Sequence, residues 1–413
     1  MSSNSIIVVG AGAAGCMAAI TAAKRGSSVT LIDRNPKIGR KLLITGKGRC
    51  NVTNNCDRDT LMSSIPTNSR FLYSAFAAFS PQDTMNFFED CGVPLKTERG
   101  NRVFPVSDRS MDIIDALFRQ IIKYRIDLVN DSVTELIIEN NRVTGVVTEK
   151  TEYRADCVMI CCGGCSYPQT GSDGYGYVLA RQAGHTITDP APSLIPIEVQ
   201  EEWCADLQGL SLKNVSLKVF NNKNKEVYSD FGEMLFTHYG LSGPMVLSAS
   251  SHMSIKKSSE YSFAIDLKPA LTTEQLDRRI IGDLEKYHNK DLINSLSDLL
   301  PKKMIPVTVM LSEIDPHKKC SEITKAERTS LLRVIKNLTL TFKKFRPIEE
   351  AIVTSGGVKV KEIDPKTMES KLCGGLYFAG EVIDVDAYTG GFNLQIAFST
   401  GYLAGKSIKN DEV

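Results

Sequence analysis

The chain has 413 residues, 42% hydrophobic and 23% charged, with a formal net charge of +1. That length calls for two or three domains, the composition is that of an ordinary globular protein, and the near-neutral charge offers no footprint for nucleic acid or an anionic membrane surface. No apolar run approaches the ~18 residues that would span a bilayer, so neither nucleic acid nor membrane is expected as a partner.

The first residues lead directly into a strand, without the basic region and cleavage site of a secretion signal. Eleven scattered cysteines fit reduced thiols better than a disulfide framework, and a cytoplasmic location is expected. Residues 6–34 read as strand, glycine turn, helix and strand: an apolar run, then Gly10-Ala11-Gly12-Ala13-Ala14-Gly15, an alanine-rich segment, and a second apolar run ending in Asp33 and Arg34. Gly10 permits the sharp turn, Gly12 leaves room for a pyrophosphate against the backbone, and Gly15 lets the helix approach the sheet. The helix N-terminus favours an anion, and Asp33 stands where an acid would hold a ribose hydroxyl.

A basic, glycine-punctuated loop follows: Gly39-Arg40-Lys41, then Thr45-Gly46-Lys47-Gly48-Arg49-Cys50-Asn51. Arg40, Lys41 and Arg49 suit phosphates, while Gly46 and Gly48 allow close backbone approach. Helices are predicted over 81–91 and 110–124, with strand-like pieces at 96–98 and 102–104. An antiparallel meander is predicted over 132–139, 143–148 and 151–154. It feeds the apolar run 158–161, a parallel strand ending in Cys162-Gly163-Gly164 at the ligand crevice. Cys162 and Cys165 form a lone C-x-x-C; without a second pair no metal is expected, and close approach to a cofactor already explains the glycines. A glycine-rich turn over 167–176 opens a short helix, 177–183.

Composition shifts near Pro190. Short β-favouring pieces at 195–199, 215–220, 226–228, 234–237 and 261–267 predict a small sheet or barrel. Thr272 with Gln275 and Thr324 with Glu327 have capping-box spacing, and Asn289 is a candidate cap for a third helix. Strand-favouring composition returns at 338–342 and 351–354. A second strand, glycine turn and helix closes the chain: 376–381, Gly390-Gly391-Phe392-Asn393-Leu394, and a helix to about 408. The N–H groups of Asn393 and Leu394 and the helix dipole would meet negative charge, which suits the pyrimidine end of a reduced flavin better than a nicotinamide.

Together with Gly232-Glu233-Met234-Leu235-Phe236-Thr237-His238-Tyr239-Gly240-Leu241-Ser242-Gly243-Pro244 and Gly380-Glu381, these motifs resemble the bacterial BaiN-type NAD(P)/FAD-dependent oxidoreductases, relatives of the aminoacetone oxidase-like flavoproteins. The resemblance spans nearly the whole chain. It implies an α/β fold: a Rossmann-type, glutathione reductase-like FAD domain (1–190 and 355–413), an inserted β-rich domain (191–271 and 338–354) and a small helical domain (272–337).

The cofactor-binding set expected is Gly10, Gly12, Ala14, Gly15, Asp33, Arg34, Arg40, Lys41, Gly46, Gly48, Arg49, Cys50, Asn51, Val133, Gly163, Gly380, Glu381, Gly391, Asn393 and Leu394. No catalytic residue is assigned; His238 and Tyr239 are the first candidates to test. The resemblance implies FAD as cofactor, NAD(P)H as transient electron donor, and reduction of a small organic substrate, enone or steroid-like, through flavin N5. A flavin amine oxidase producing hydrogen peroxide and a non-enzymatic flavin-binding sensor are the alternatives. A plain NAD-dependent dehydrogenase would need only the N-terminal fingerprint and would leave the turn from Gly380 to Leu394 unexplained.

Overall fold

A computed structural model describes residues 4–253 and 260–408. The chain divides into two compact units, one formed by residues up to Ser193 and from Ile348 onward, the other by Leu194–Pro347.

The first unit is built on five parallel strands: β1 (Ser5–Val9), β2 (Ser28–Asp33), β3 (Asp127–Asn130), β4 (Cys157–Ile160) and β5 (Leu376–Phe378), in the order β5-β4-β1-β2-β3. Every neighbouring pair is parallel. β1 and β4 are apolar and buried along nearly their whole length, as strands covered on both faces must be. Helix α1 (Ala13–Lys24) leaves the carboxyl end of β1, and helix α2 (Phe392–Ser407) follows β5. The two helices pack through missing side chains: a Cβ on Gly401 would lie 2.3 Å from the carbonyl oxygen of Ala14, and one on Gly405 2.5 Å from that of Ala18. The meander Val133–Glu139, Arg142–Thr148 and Glu152–Arg154 forms as expected, as do helices Pro81–Asp90, Ser110–Lys123 and Tyr175–Gln182.

The second unit contains a closed barrel, in the order Ile197–Val199, Gly240–Ser242, Glu226–Thr237, Ser211–Asn221, Tyr261–Asp266, Leu338–Phe345. The pieces expected at 226–228 and 234–237 are one strand, whose polar middle pairs with Ser211–Asn221 across two register shifts. Helices Thr273–Lys286 and Lys325–Lys336 carry complete capping boxes at Thr272/Gln275 and Thr324/Glu327. Asn289 caps nothing: Asp291 stands before the next 3-10 turn, Leu292–Asn294, and the following α-helix begins at Met304.

Leu276, Ile280 and Leu331 of the helices share one apolar cluster with Phe263, Ile265 and Leu340 of the barrel. Residues 272–337 therefore lack a core of their own and belong to the barrel's unit. The return to the first unit also falls earlier than residue 355, because Val353–Val358 pairs antiparallel with Ile187–Ser193 inside that unit.

Candidate functional site

The turn after β1 has the geometry its glycines require. Gly10 sits at φ +103°, and a Cβ there would be 2.7 Å from the Cys161 carbonyl oxygen; one on Gly15 would be 1.8 Å from the Gly10 carbonyl oxygen. Gly12, the N-cap of α1, differs: its Cβ would meet nothing within 4 Å. The first turn of α1 carries no acidic residue, so its dipole and free N–H groups are left for an external anion.

Asp33 braces this turn. Its Oδ2 accepts from Ala11 N at 2.6 Å, and its Oδ1 accepts from Asn35 N at 2.7 Å and from the Asn35 side-chain amide at 2.9 Å, so Oδ2 keeps a lone pair for a ribose hydroxyl. Arg34 pairs with Asp173 and lies over the Tyr175 ring, whose hydroxyl donates to the Thr134 carbonyl beside buried Val133. Asp33, Arg34 and the Val133 strand end are thereby gathered at one edge of the sheet.

The basic loop divides. Gly39 N donates to Ala11 O at 2.8 Å, which ties the loop to the glycine turn, and Arg40 donates to Asn35 Oδ1 at 2.8 Å. Lys41 Nζ reaches Glu381 Oε2 at 2.8 Å and Ser166 Oγ at 2.6 Å. Glu381 Oε1 accepts in turn from Thr354 N at 2.8 Å and Ser166 Oγ at 3.1 Å. Ser166 and Thr354 were not among the expected residues. Neither type carries a motif, and only the fold brings them to Glu381.

Arg49 goes elsewhere. It is held by Glu98 and Asp108 and stacks over Phe104 at 4.1 Å, so its charge is paired with two carboxylates of the chain itself. Gly46, Lys47, Gly48 and Cys50 all have left-handed backbones, with φ +56°, +61°, +84° and +59°.

At the far end of the chain, Gly380 (φ +79°) passes so close to α1 that a Cβ would lie 2.7 Å from the Ala14 Cβ. Gly391 (φ +102°) caps α2, whose first turn also lacks an acid. The Asn393 side chain is turned inward, accepting from Ala387 N at 2.9 Å and donating to Ala387 O at 2.7 Å. This fixes the loop before the turn and leaves the first N–H groups of α2 without intrahelical acceptors. Buried Gln395 anchors α2 through Thr53 and Thr84 hydroxyls at 2.5 and 2.9 Å.

Cys162 and Cys165 are unpaired. Burial, followed by the Asp33 charge, pushes the Cys162 thiol up to about 12, and burial also raises Cys165. Neither is the low-pKa thiolate that redox chemistry needs. Gly163 (φ +77°) lies against Ser172, where a Cβ would be 2.7 Å from its hydroxyl. Among the described residues no cluster of His, Cys, Asp or Glu could hold a metal ion, and no helix is long and apolar enough to cross a membrane. His238 is exposed on the hairpin turn of the second unit, edge-on to Tyr239 at 4.9 Å, and Arg346 lies over the Tyr239 ring at 4.6 Å.

A five-stranded parallel sheet with glycine-capped helix N-termini at Gly12 and Gly391 is the frame of a dinucleotide-binding fold, and its relatives place it among the FAD-dependent oxidoreductases. Within that class the chain belongs to the family described as HI0933-like protein Rossmann domain, whose model matches residues 4–407. It is 32% identical over 410 residues to the 3-dehydro-bile acid delta(4,6)-reductase of Clostridium scindens, covering 98% of each chain. It is also 32% identical over 409 residues to the ribosomal RNA dihydrouridine synthase of Haemophilus influenzae, covering 97% of this chain and 98% of that one. In fold it is similar to the 3-ketosteroid delta1-dehydrogenase of Sterolibacterium denitrificans, with a TM-score of 0.52 at 14% identity, covering 98% of this chain and 99% of that one.

The residues present fit FAD. The open space at Gly12 suits a pyrophosphate, and the buried Oδ1 of Asn51, which has no hydrogen-bond partner, lies beside the Gly391 turn.

Proposed function

We propose that this protein binds FAD in its first unit and catalyses NAD(P)H-linked reduction of a carbon–carbon double bond conjugated to a carbonyl, in a small enone or steroid-like molecule. What supports the reading most is the shared chemistry of the relatives matched along nearly the whole chain. A delta(4,6)-reductase of a 3-dehydro bile acid and a dihydrouridine synthase both saturate a double bond in conjugation with a carbonyl. When bound, FAD supplies hydride transfer through N5.

The chain's own part is binding and orientation. Gly12 and the α1 N-terminus hold the pyrophosphate, and Asp33 holds the ribose. Arg34 and Val133 border the adenosine end, and Lys41, Glu381 and the Gly391–Leu394 turn fix the ring end. Lys41 and Glu381 neutralise one another and tie the basic loop to the turn after β5. The two ends of the chain thus close on one cofactor.

The same match favours a second substrate reading, a uracil base within ribosomal RNA, since uracil carries the same conjugated system. Expecting no nucleic acid rested on the net charge alone, which does not speak to a single splayed base. The purified protein, supplied with FAD, is expected to show a flavin band that NADH or NADPH bleaches without oxygen and that a 3-oxo-4-ene steroid or a uridine-containing RNA restores. Absence of the band would overturn the reading. Bleaching by primary amines with peroxide release in air, and none by NAD(P)H, would replace it with the oxidase.

A further inference from the structure

We infer that Asn51 is a flavin-positioning residue, its Oδ1 accepting a hydrogen bond from the N3–H of the isoalloxazine ring. This rests on the proposed FAD site and goes beyond it in assigning one atom to one atom. The Asn51 Oδ1 is shut off from solvent and has no hydrogen-bond partner, a situation native proteins avoid unless something else supplies the donor.

The side-chain donors around it are committed elsewhere. The Thr53 hydroxyl is committed to Gln395, the Asn54 amide donates to the carbonyls of Gly100 and Gly390, and the Asn393 amide donates to Ala387 and Tyr388. The oxygen is also aimed at the turn: a Cβ on Gly391 would lie 3.0 Å from it.

The backbone leading to Asn51 is forced into this pose. Lys47 and Cys50 hold left-handed conformations that side chains disfavour, and such strain persists where the surroundings over-determine it and a function uses it. Buried Cys50 is locked by its N–H to the Thr45 carbonyl at 3.0 Å.

The pattern of donors and acceptors then selects the ligand edge. The Gly391 turn and the first residues of α2 offer N–H donors to a ligand acceptor, and Asn51 beside them offers an acceptor to a ligand donor. A C2 carbonyl next to an N3–H, the imide edge of the flavin, is the complement of that pair. The adenine and nicotinamide of a dinucleotide have no such carbonyl and ring N–H side by side.

The test uses the full-length protein, FAD, and FAD methylated at N3, with affinity read from flavin fluorescence. The wild type should prefer FAD over the methylated form. Asn51→Ala should weaken FAD binding by roughly tenfold, the size expected for loss of one desolvated hydrogen bond, and should abolish that preference, because the cavity left by the side chain accepts the methyl group. Asn51→Asp, which keeps an acceptor of the same shape, should retain the preference and shows that substitution there permits folding. Unchanged FAD affinity in Asn51→Ala, or an undiminished preference for FAD over its methylated form, would overturn the assignment. A wild type that binds neither flavin would instead defeat the proposed function itself.

Discussion

At Gly12 a Cβ atom would meet nothing within 4 Å, whereas at Gly391 it would lie 2.3 Å from the carbonyl oxygen of Thr53. Both residues cap a helix whose first turn lacks an acid, and both follow a parallel strand by way of a glycine turn. The first glycine leaves room for a molecule from outside, while the second lets two stretches of the chain touch. Substitutions at the two positions should therefore fail in different ways.

The largest effect is expected at Gly391→Ala. A left-handed alanine with its Cβ against a backbone oxygen should cost about 3 kcal/mol or more of unfolding free energy, seen as a lower thermal midpoint of the apoprotein. A midpoint equal to wild type would show that the turn does not depend on close packing. Next is Gly12→Val. FAD affinity should fall by at least roughly 100-fold, while the apoprotein loses only about 1 kcal/mol for a poorer N-cap. Equal losses of fold and binding would erase the distinction between the two turns.

Gln395→Leu sharpens the comparison from within α2. It strands the Thr53 hydroxyl and takes one of two partners from the Thr84 hydroxyl and the Phe79 carbonyl, which keep Ser80 and Ser399, for an expected loss of about 1–3 kcal/mol in urea unfolding; no loss would mean the buried network does not anchor the helix.

The smallest effect is a pH dependence far from either turn. Buried His185 bonds Ser370 Oγ at 2.7 Å, and burial holds its pKa below the usual 6.5. Below about pH 6.5 the unfolded chain binds a proton that the folded chain resists, so this contribution to stability is lost as pH falls. Midpoints measured at pH 5 and 7 should differ less in His185→Gln than in wild type.

Much of the first unit was legible because local chemistry dictates it. An apolar run, spaced glycines and an acid at the end of the next strand leave few alternatives, and the capping boxes at Thr272 and Thr324 depend only on residues three apart. What was not legible depends on partners distant in sequence. The polar middle of Glu226–Thr237 reads as a break until Ser211–Asn221 supplies its ladder. Arg49 looks like a phosphate ligand until Glu98 and Asp108 arrive beside it. Ser166 and Thr354 carry no signal of their own, and their meeting at Glu381 spans about 200 residues of chain.

The strand order β5-β4-β1 also sets a timetable for birth on the ribosome. β4 emerges with its outer edge bare, and the strand that covers it follows about 200 residues later, a wait on the order of ten to forty seconds at usual translation speeds. Throughout that interval the nascent chain displays an apolar strand edge open to mispairing, and the cradle at Gly12 exists without its C-terminal counterpart. The half-made sheet is thus the stage of synthesis at which the chain is most open to mispairing.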